Sequence, residues 1–109
     1  MRLENSARSR VGLSKVIYLV DPEHPKNGGK ARLFNALGYH QDNWEQLDKD
    51  LREQHLVLDA EEVERTIHGR KYAITGILQG PTGNANMLSV WIIRWEEDFP
   101  RFVTAYIAD

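Results

Sequence analysis

The segment His24-Pro25-Lys26-Asn27-Gly28-Gly29-Lys30 gathers the residue types that a phosphate site with proton-transfer chemistry requires. It lies directly ahead of a stretch with helical spacing. The first turn of a helix leaves backbone N–H groups without partners and carries partial positive charge, so it attracts anions. Gly28 and Gly29 let that backbone come close to a ligand, while Lys26 and Lys30 add positive charge. His24 is the one side chain in the run whose ordinary pKa lies near neutrality, which suits it to a general acid/base role. The pattern is neither a Walker nor a dinucleotide fingerprint, and a plain turn with solvated lysines would read the same way.

Two weaker candidates lie further along. Thr104 and Tyr106 alternate on one side of a C-terminal strand, together with Phe102, and their hydroxyls can bind phosphate oxygens. Threonine and tyrosine are also common strand residues with no chemistry attached. Arg70 and Lys71 stand at a strand start, a position more often just a solvated hairpin end. His24, His40, His55 and His68 are scattered, with no spacing that implies a metal site, and His40 and His55 read as surface residues flanking helices. No metal or cofactor is expected. Trp91 and Trp95 share a strand face with Ile93 and read most simply as core, although an edge tryptophan could stack a base.

The elements that must position these residues follow from periodicity. Residues 1–13 show none and are expected to form a flexible tail, with residues 14–109 as the domain. Ser14 is placed to cap a short helix, SKVIYLV, which must end before Pro22. GKARLFNALG gives a second helix, with Gly38 at a left-handed C-cap. Asp42 and Glu45 suggest a capping box for a third, whose buried stripe is Trp44, Leu47 and Leu51 and whose remaining charged residues face water. After residue 58 the period becomes that of strands: EVERTI, with Val63, Arg65 and Ile67 on one side, a turn at His68-Gly69, then RKYAITGIL. A longer turn over Gln79–Asn84 leads to MLSVWIIRW, apolar on both faces and therefore central, and RFVTAYI closes the sheet. The expected fold is α+β, in the order α-α-α-β-β-β-β, with the helices packed on one face of a four-stranded antiparallel sheet.

Composition bounds the function. The 109 residues suffice for one core, and 41% apolar with 28% charged residues is ordinary for a globular domain. With no cysteine there is neither a disulfide framework nor a thiolate nucleophile, and a cytoplasmic setting is expected. No apolar run is long enough for a membrane span, and no hydrophobic stretch follows the basic N-terminus as a secretory signal would. The net charge of −2 conceals a split, with seven Lys/Arg against three Asp/Glu in residues 1–40 and seven against thirteen beyond. Such a balance argues against non-specific coating of nucleic acid while permitting a local basic site.

The run DPEHPKNGGKARLF (residues 21–34), with Leu37-Gly38-Tyr39 and Trp44, resembles a family of small bacterial domains of unknown function. Its later features are similar here too: Gly69 to Tyr72, Gly76, Val90 to Ile93, and Pro100 to Tyr106, although Ile107 stands where such domains often have proline. Domains of this kind occur alone, beside candidate antitoxins, or at the C-termini of large bacterial toxins. Their layout is similar to that of barnase–EndoU–colicin–RelE-type ribonucleases. That resemblance implies a metal-independent ribonuclease toxin acting on RNA, such as tRNA or mRNA, by attack of a 2′-OH on the adjacent phosphate. His24, Lys30 and Thr104 would be catalytic, with Lys26, Gly28, Gly29, Lys71 and Tyr106 binding substrate. The partners implied are RNA and a cognate antitoxin or immunity protein, with no DNA and no membrane. The alternative is a non-catalytic module, an antitoxin or adaptor, docking through the acidic helix 42–56.

Overall fold

The structure is a computed structural model that describes residues 1–24 and 28–108. Three helices precede a four-stranded antiparallel sheet, giving the expected α+β order: α1 (Leu13–Leu19), α2 (Gly28–Ala36), α3 (Trp44–Asp50), β1 (Glu61–Arg65), β2 (Gly69–Gly80), β3 (Gly83–Arg94) and β4 (Arg101–Ile107). The strands pair in the order β1-β2-β3-β4, so β2 and β3 are interior. No helix among the described residues is long and apolar enough to cross a membrane.

The helices cover one sheet face. Tyr72, Ile74 and Leu78 of β2, Met87 and Trp91 of β3, and Phe102 and Ala105 of β4 are buried there against Val16, Leu19, Phe34, Leu47 and Leu51. Trp91 meets Phe102 edge-on at 5.3 Å between ring centroids, a geometry that adds to the burial of both rings. The opposite face carries Lys71, Ala73, Thr75, Ile77, Leu88, Val90, Ile92, Thr104 and Tyr106 in register across three strands, all half-buried or exposed. Among the described residues no helix covers it.

Local chemistry moves several boundaries. Helix α1 starts at Leu13 from an extended Gly12, so Ser14 sits in its first turn instead of capping it. Asp42 does not open α3 either. It lies in a 3-10 turn, Gln41–Asn43, whose Asn43 side chain accepts the His40 backbone N–H. Helix α3 then passes into a π-turn, Leu51–His55, and the extra residue per turn rotates His55 inward, where it is fully buried. Asp50 is buried as well, so the third helix is not uniformly solvated on its charged side. Gly38 takes φ +98° as the C-cap of α2, the conformation expected of it. Gly80 is required for another reason: a Cβ there would lie 2.2 Å from the Leu37 carbonyl oxygen.

Strand β1 departs from the expected alternation. A bulge between Glu62 and Glu64 breaks the period, all five of its residues are exposed, and Ile67 lies beyond it at 88% exposure. Trp95 falls one residue past β3 and is exposed, its indole N–H donating to the Thr66 carbonyl while Arg70 stacks on the ring. It is therefore not core, unlike Trp91. The first twelve residues lack periodicity yet pack against the sheet end: Leu3 and Val11 are buried, and Arg10 forms a parallel bridge with Arg101.

Candidate functional site

Ala31 and Phe34 anchor α2 in the core, which fixes the direction of Lys30 one position earlier. The Lys30 ammonium reaches the last strand and donates to Thr104 Oγ1 at 2.9 Å, with the Tyr106 ring centroid 5.8 Å from its Nζ. Burial pushes the Lys30 pKa down from its ordinary value, because the charged form loses water. No carboxylate among the described residues pairs with it.

A bulge in β4 makes this contact possible. The register shifts between Val90 and Trp91, so Thr104 faces Val90 and Tyr106 faces Leu88 on the open side while Phe102 pairs with Trp91 in the core. Phe102 therefore does not share the face of Thr104 and Tyr106, as simple alternation would require. One inserted residue, Val103, reverses it.

His24 closes a turn whose backbone N–H donates to the Asp21 carbonyl at 3.3 Å. Its ring packs edge-on against Tyr18, with centroids 4.5 Å apart. Tyr18 and Thr104 line one cleft of about 370 Å³, together with Ser14, Lys15, Leu19 and Val103. Tyr18, against which the His24 ring packs, and Thr104, to which Lys30 donates, thus line the same cleft. Gly28 begins α2, and an added Cβ on the exposed Gly29 would touch nothing, so packing leaves that position free for a ligand. Lys26 lies outside the described residues.

Lys71 is not brought to Lys30. It stands opposite Ile92 on the open face, pairs with Glu64 at 3.8 Å, and lines a second cleft with Lys15, Ile67, His68, Ile92 and Arg94. Lys15 borders both openings and was not distinguishable in sequence. A single lysine in a short apolar helix carries no signal until α1 is seen against the edge of β4. Arg94 shares that history, as a lone arginine at the end of an apolar strand.

The remaining histidines divide. His40 is exposed, as expected, whereas His55 is not the surface residue its flanking position suggests. Its Nδ1 lies 2.5 Å from Ser89 Oγ, which also accepts the Trp91 indole N–H at 2.8 Å, and its Nε2 faces the Gly76 carbonyl at 3.1 Å. The Nε2–H tautomer satisfies all of these: Nε2 donates to Gly76, and Nδ1 accepts from Ser89. Burial holds the His55 pKa below its ordinary value despite the backbone hydrogen bonds that raise it. A serine–histidine pair with both side chains inaccessible cannot meet a substrate, so it serves packing.

The acidic third helix is largely engaged internally. Asp48 pairs with Arg52, Glu53 with Lys49, and Asp50 accepts from Tyr39 and Gln46. Burial, with the Asp50 carboxylate beside it, drives the Tyr39 hydroxyl far above the usual phenol range, which keeps it a donor. Among the described residues no three His, Cys, Asp or Glu side chains gather as a metal site would need.

A family model described as "Domain of unknown function (DUF6883)" matches residues 2–109. No curated protein and no solved structure matches the chain.

Proposed function

The chain belongs to the DUF6883 family over its whole length, and we propose that it is a metal-independent endoribonuclease of the toxin type. The observation that carries this reading is the Lys30–Thr104 contact, with Thr104 lining a cleft together with Tyr18, the residue that holds the His24 ring. A half-buried cation on a hydroxyl, with an imidazole one residue removed from the same cleft, suits a phosphodiester better than a neutral ligand.

In the proposed reaction the His24 imidazole accepts the proton of a ribose 2′-OH. The 2′-oxygen attacks phosphorus, the P–O5′ bond breaks, and the imidazolium returns the proton to the departing 5′-oxygen. The products are a 2′,3′-cyclic phosphate and a 5′-hydroxyl. Lys30 and the α2 N-terminus hold the charge that grows on the non-bridging oxygens, and Thr104 Oγ1 binds one of them. Tyr106 stacks on the neighbouring base. Gly29 allows close approach, and Lys26 adds charge. Because the nucleophile is the 2′-OH, RNA is cut and DNA is not. A cognate antitoxin or immunity protein would act by covering this cleft.

Incubation of the purified protein with RNA in EDTA tests the reading. Wild type should yield cyclic-phosphate ends, and the His24→Ala/Lys30→Ala variant should fall by about a hundredfold or more, the scale of one lost acid/base group. Equal rates for the two proteins would sink the proposal. Expression in a host lacking the neighbouring gene separates it from an adaptor role, because only a nuclease arrests growth.

A further inference from the structure

Three clefts on the open sheet face adjoin one another. The first holds Tyr18, Thr104 and Lys15; the second, Lys15, Ile92, Arg94 and Arg10; the third, Lys15, Lys71, His68, Ile92 and Arg94, with Glu96 at its rim. Lys15 borders all three, and Arg94 borders two of them. We infer that this face binds a single-stranded RNA running from the Thr104–Tyr106 end, past Lys15, to Arg94.

Charge pairing supports the path. Arg8, Lys49, Arg52, Arg65, Arg70, Lys71 and Arg101 are each tied to a carboxylate. Of the six other cations among the described residues, Arg10, Lys15, Lys30 and Arg94 border this run of clefts or touch Thr104 on its rim, while Arg2 and Arg32 line none of the three. Cations without carboxylate partners that concentrate along one channel are what a polyphosphate backbone neutralises. Tyr106 at one end of the path is 44% exposed and presents ring surface on which a base can stack.

The same face favours one strand over two. Glu61 and Glu64 of β1 occupy outward register positions beside Ala73 and Lys71, so a second phosphate strand would run over carboxylates. An acidic peptide would satisfy the cations but leave the Tyr106 ring unused.

This inference names the substrate path of the nuclease proposed above and rests on it only for the choice of RNA. Its test is fluorescence anisotropy with a labelled, 2′-O-methylated single strand of about 12 nucleotides, within the size one such fold covers. Wild type, Lys15→Glu/Arg94→Glu and Lys15→Ala/Arg94→Ala are compared, each checked for unchanged melting. The charge-reversed protein should bind at least about tenfold more weakly, and the alanine variant should show a log K against log salt slope smaller by about 1.4, two phosphates at about 0.7 each. A duplex of the same sequence and poly-glutamate should both bind more weakly than the single strand. Unchanged affinity and slope in the variants, or equal binding of duplex or poly-glutamate, overturns the inference. If wild type binds the strand through Lys15 and Arg94 but cleaves no unmodified RNA, the catalytic reading fails and the path stands. If RNA is cleaved with an unchanged KM in the double variant, the path fails and the catalytic reading stands.

Discussion

Lys30 and Thr104, 74 positions apart in the chain, are joined by a 2.9 Å hydrogen bond from Nζ to Oγ1. The bond ties the start of α2 to the outward side of β4. It depends on two separate features: the anchoring of α2 by Phe34, and the Val103 bulge that turns Thr104 away from the core.

Replacing Thr104 with valine keeps the shape and removes the acceptor. Stability should fall by about 1–2 kcal/mol, since a hydrogen bond to a charged group contributes about 1.5–3 kcal/mol and the partial solvation of Lys30 discounts it. RNA cleavage should fall by about tenfold or more if the hydroxyl binds a phosphate oxygen in the transition state. Urea unfolding alongside a cleavage assay separates the two effects, and a loss of stability without loss of rate would assign Thr104 a structural part only.

The buried His55 makes stability fall on acidification. Its folded pKa is lowered by burial, so between about 6.5, the ordinary value, and the depressed folded value the unfolded chain binds the extra proton. Stability is therefore full above about pH 6.5 and declines as pH drops through that window, with a slope of up to about 1.4 kcal/mol per pH unit from this one group. Denaturation midpoints at several pH values measure it, and NMR of the imidazole should show His55 still neutral below about pH 6.5, the ordinary histidine value. A His55 imidazole that titrates at or above that value would contradict the burial argument.

Ser89→Ala should be costly although it removes a single oxygen. Both the His55 Nδ1 and the Trp91 indole N–H use that hydroxyl, and each buried group left without a partner costs about 1–3 kcal/mol. Thermal or urea unfolding reads the loss, and a change below about 1 kcal/mol would mean that the two groups find other partners.

Two glycines should respond in opposite ways to alanine. Gly80→Ala forces a Cβ against the Leu37 carbonyl and should destabilise by several kcal/mol or prevent folding. Gly29→Ala meets open space within a helix and should stabilise by about 0.5–1 kcal/mol. If Gly29 serves ligand approach, cleavage drops as stability rises, and melting curves with activity assays on the one variant show both.

Legibility in sequence followed the strength of the local signal. The long alternating strands β2 and β3 and the Gly38 cap were readable because period and turn chemistry agree there. The bulges at Glu62–Glu64 and at Val103 were not, because one inserted residue reverses a face without altering composition. His55 looked solvated because polar flanks surround it, and only the π-turn carries it inside. At the site, the His24–Lys30 run drew notice through residue types packed close in sequence. Lys15 and Arg94 did not, since their role depends on the edge packing of α1 and on the open sheet face.

The parallel bridge between Arg10 and Arg101, like the bond between Lys30 and Thr104, joins the two ends of the chain. During synthesis, which proceeds at about 5–20 residues per second from the N-terminus, α1 and α2 emerge with no β4 to receive them. The Lys30–Thr104 pair and the channel beside it come into being only once the last strand has been made and docked. Assembly of the site thus waits until β4 has been made and docked, and a chain that lacks β4 has neither the pair nor the channel, by topology alone.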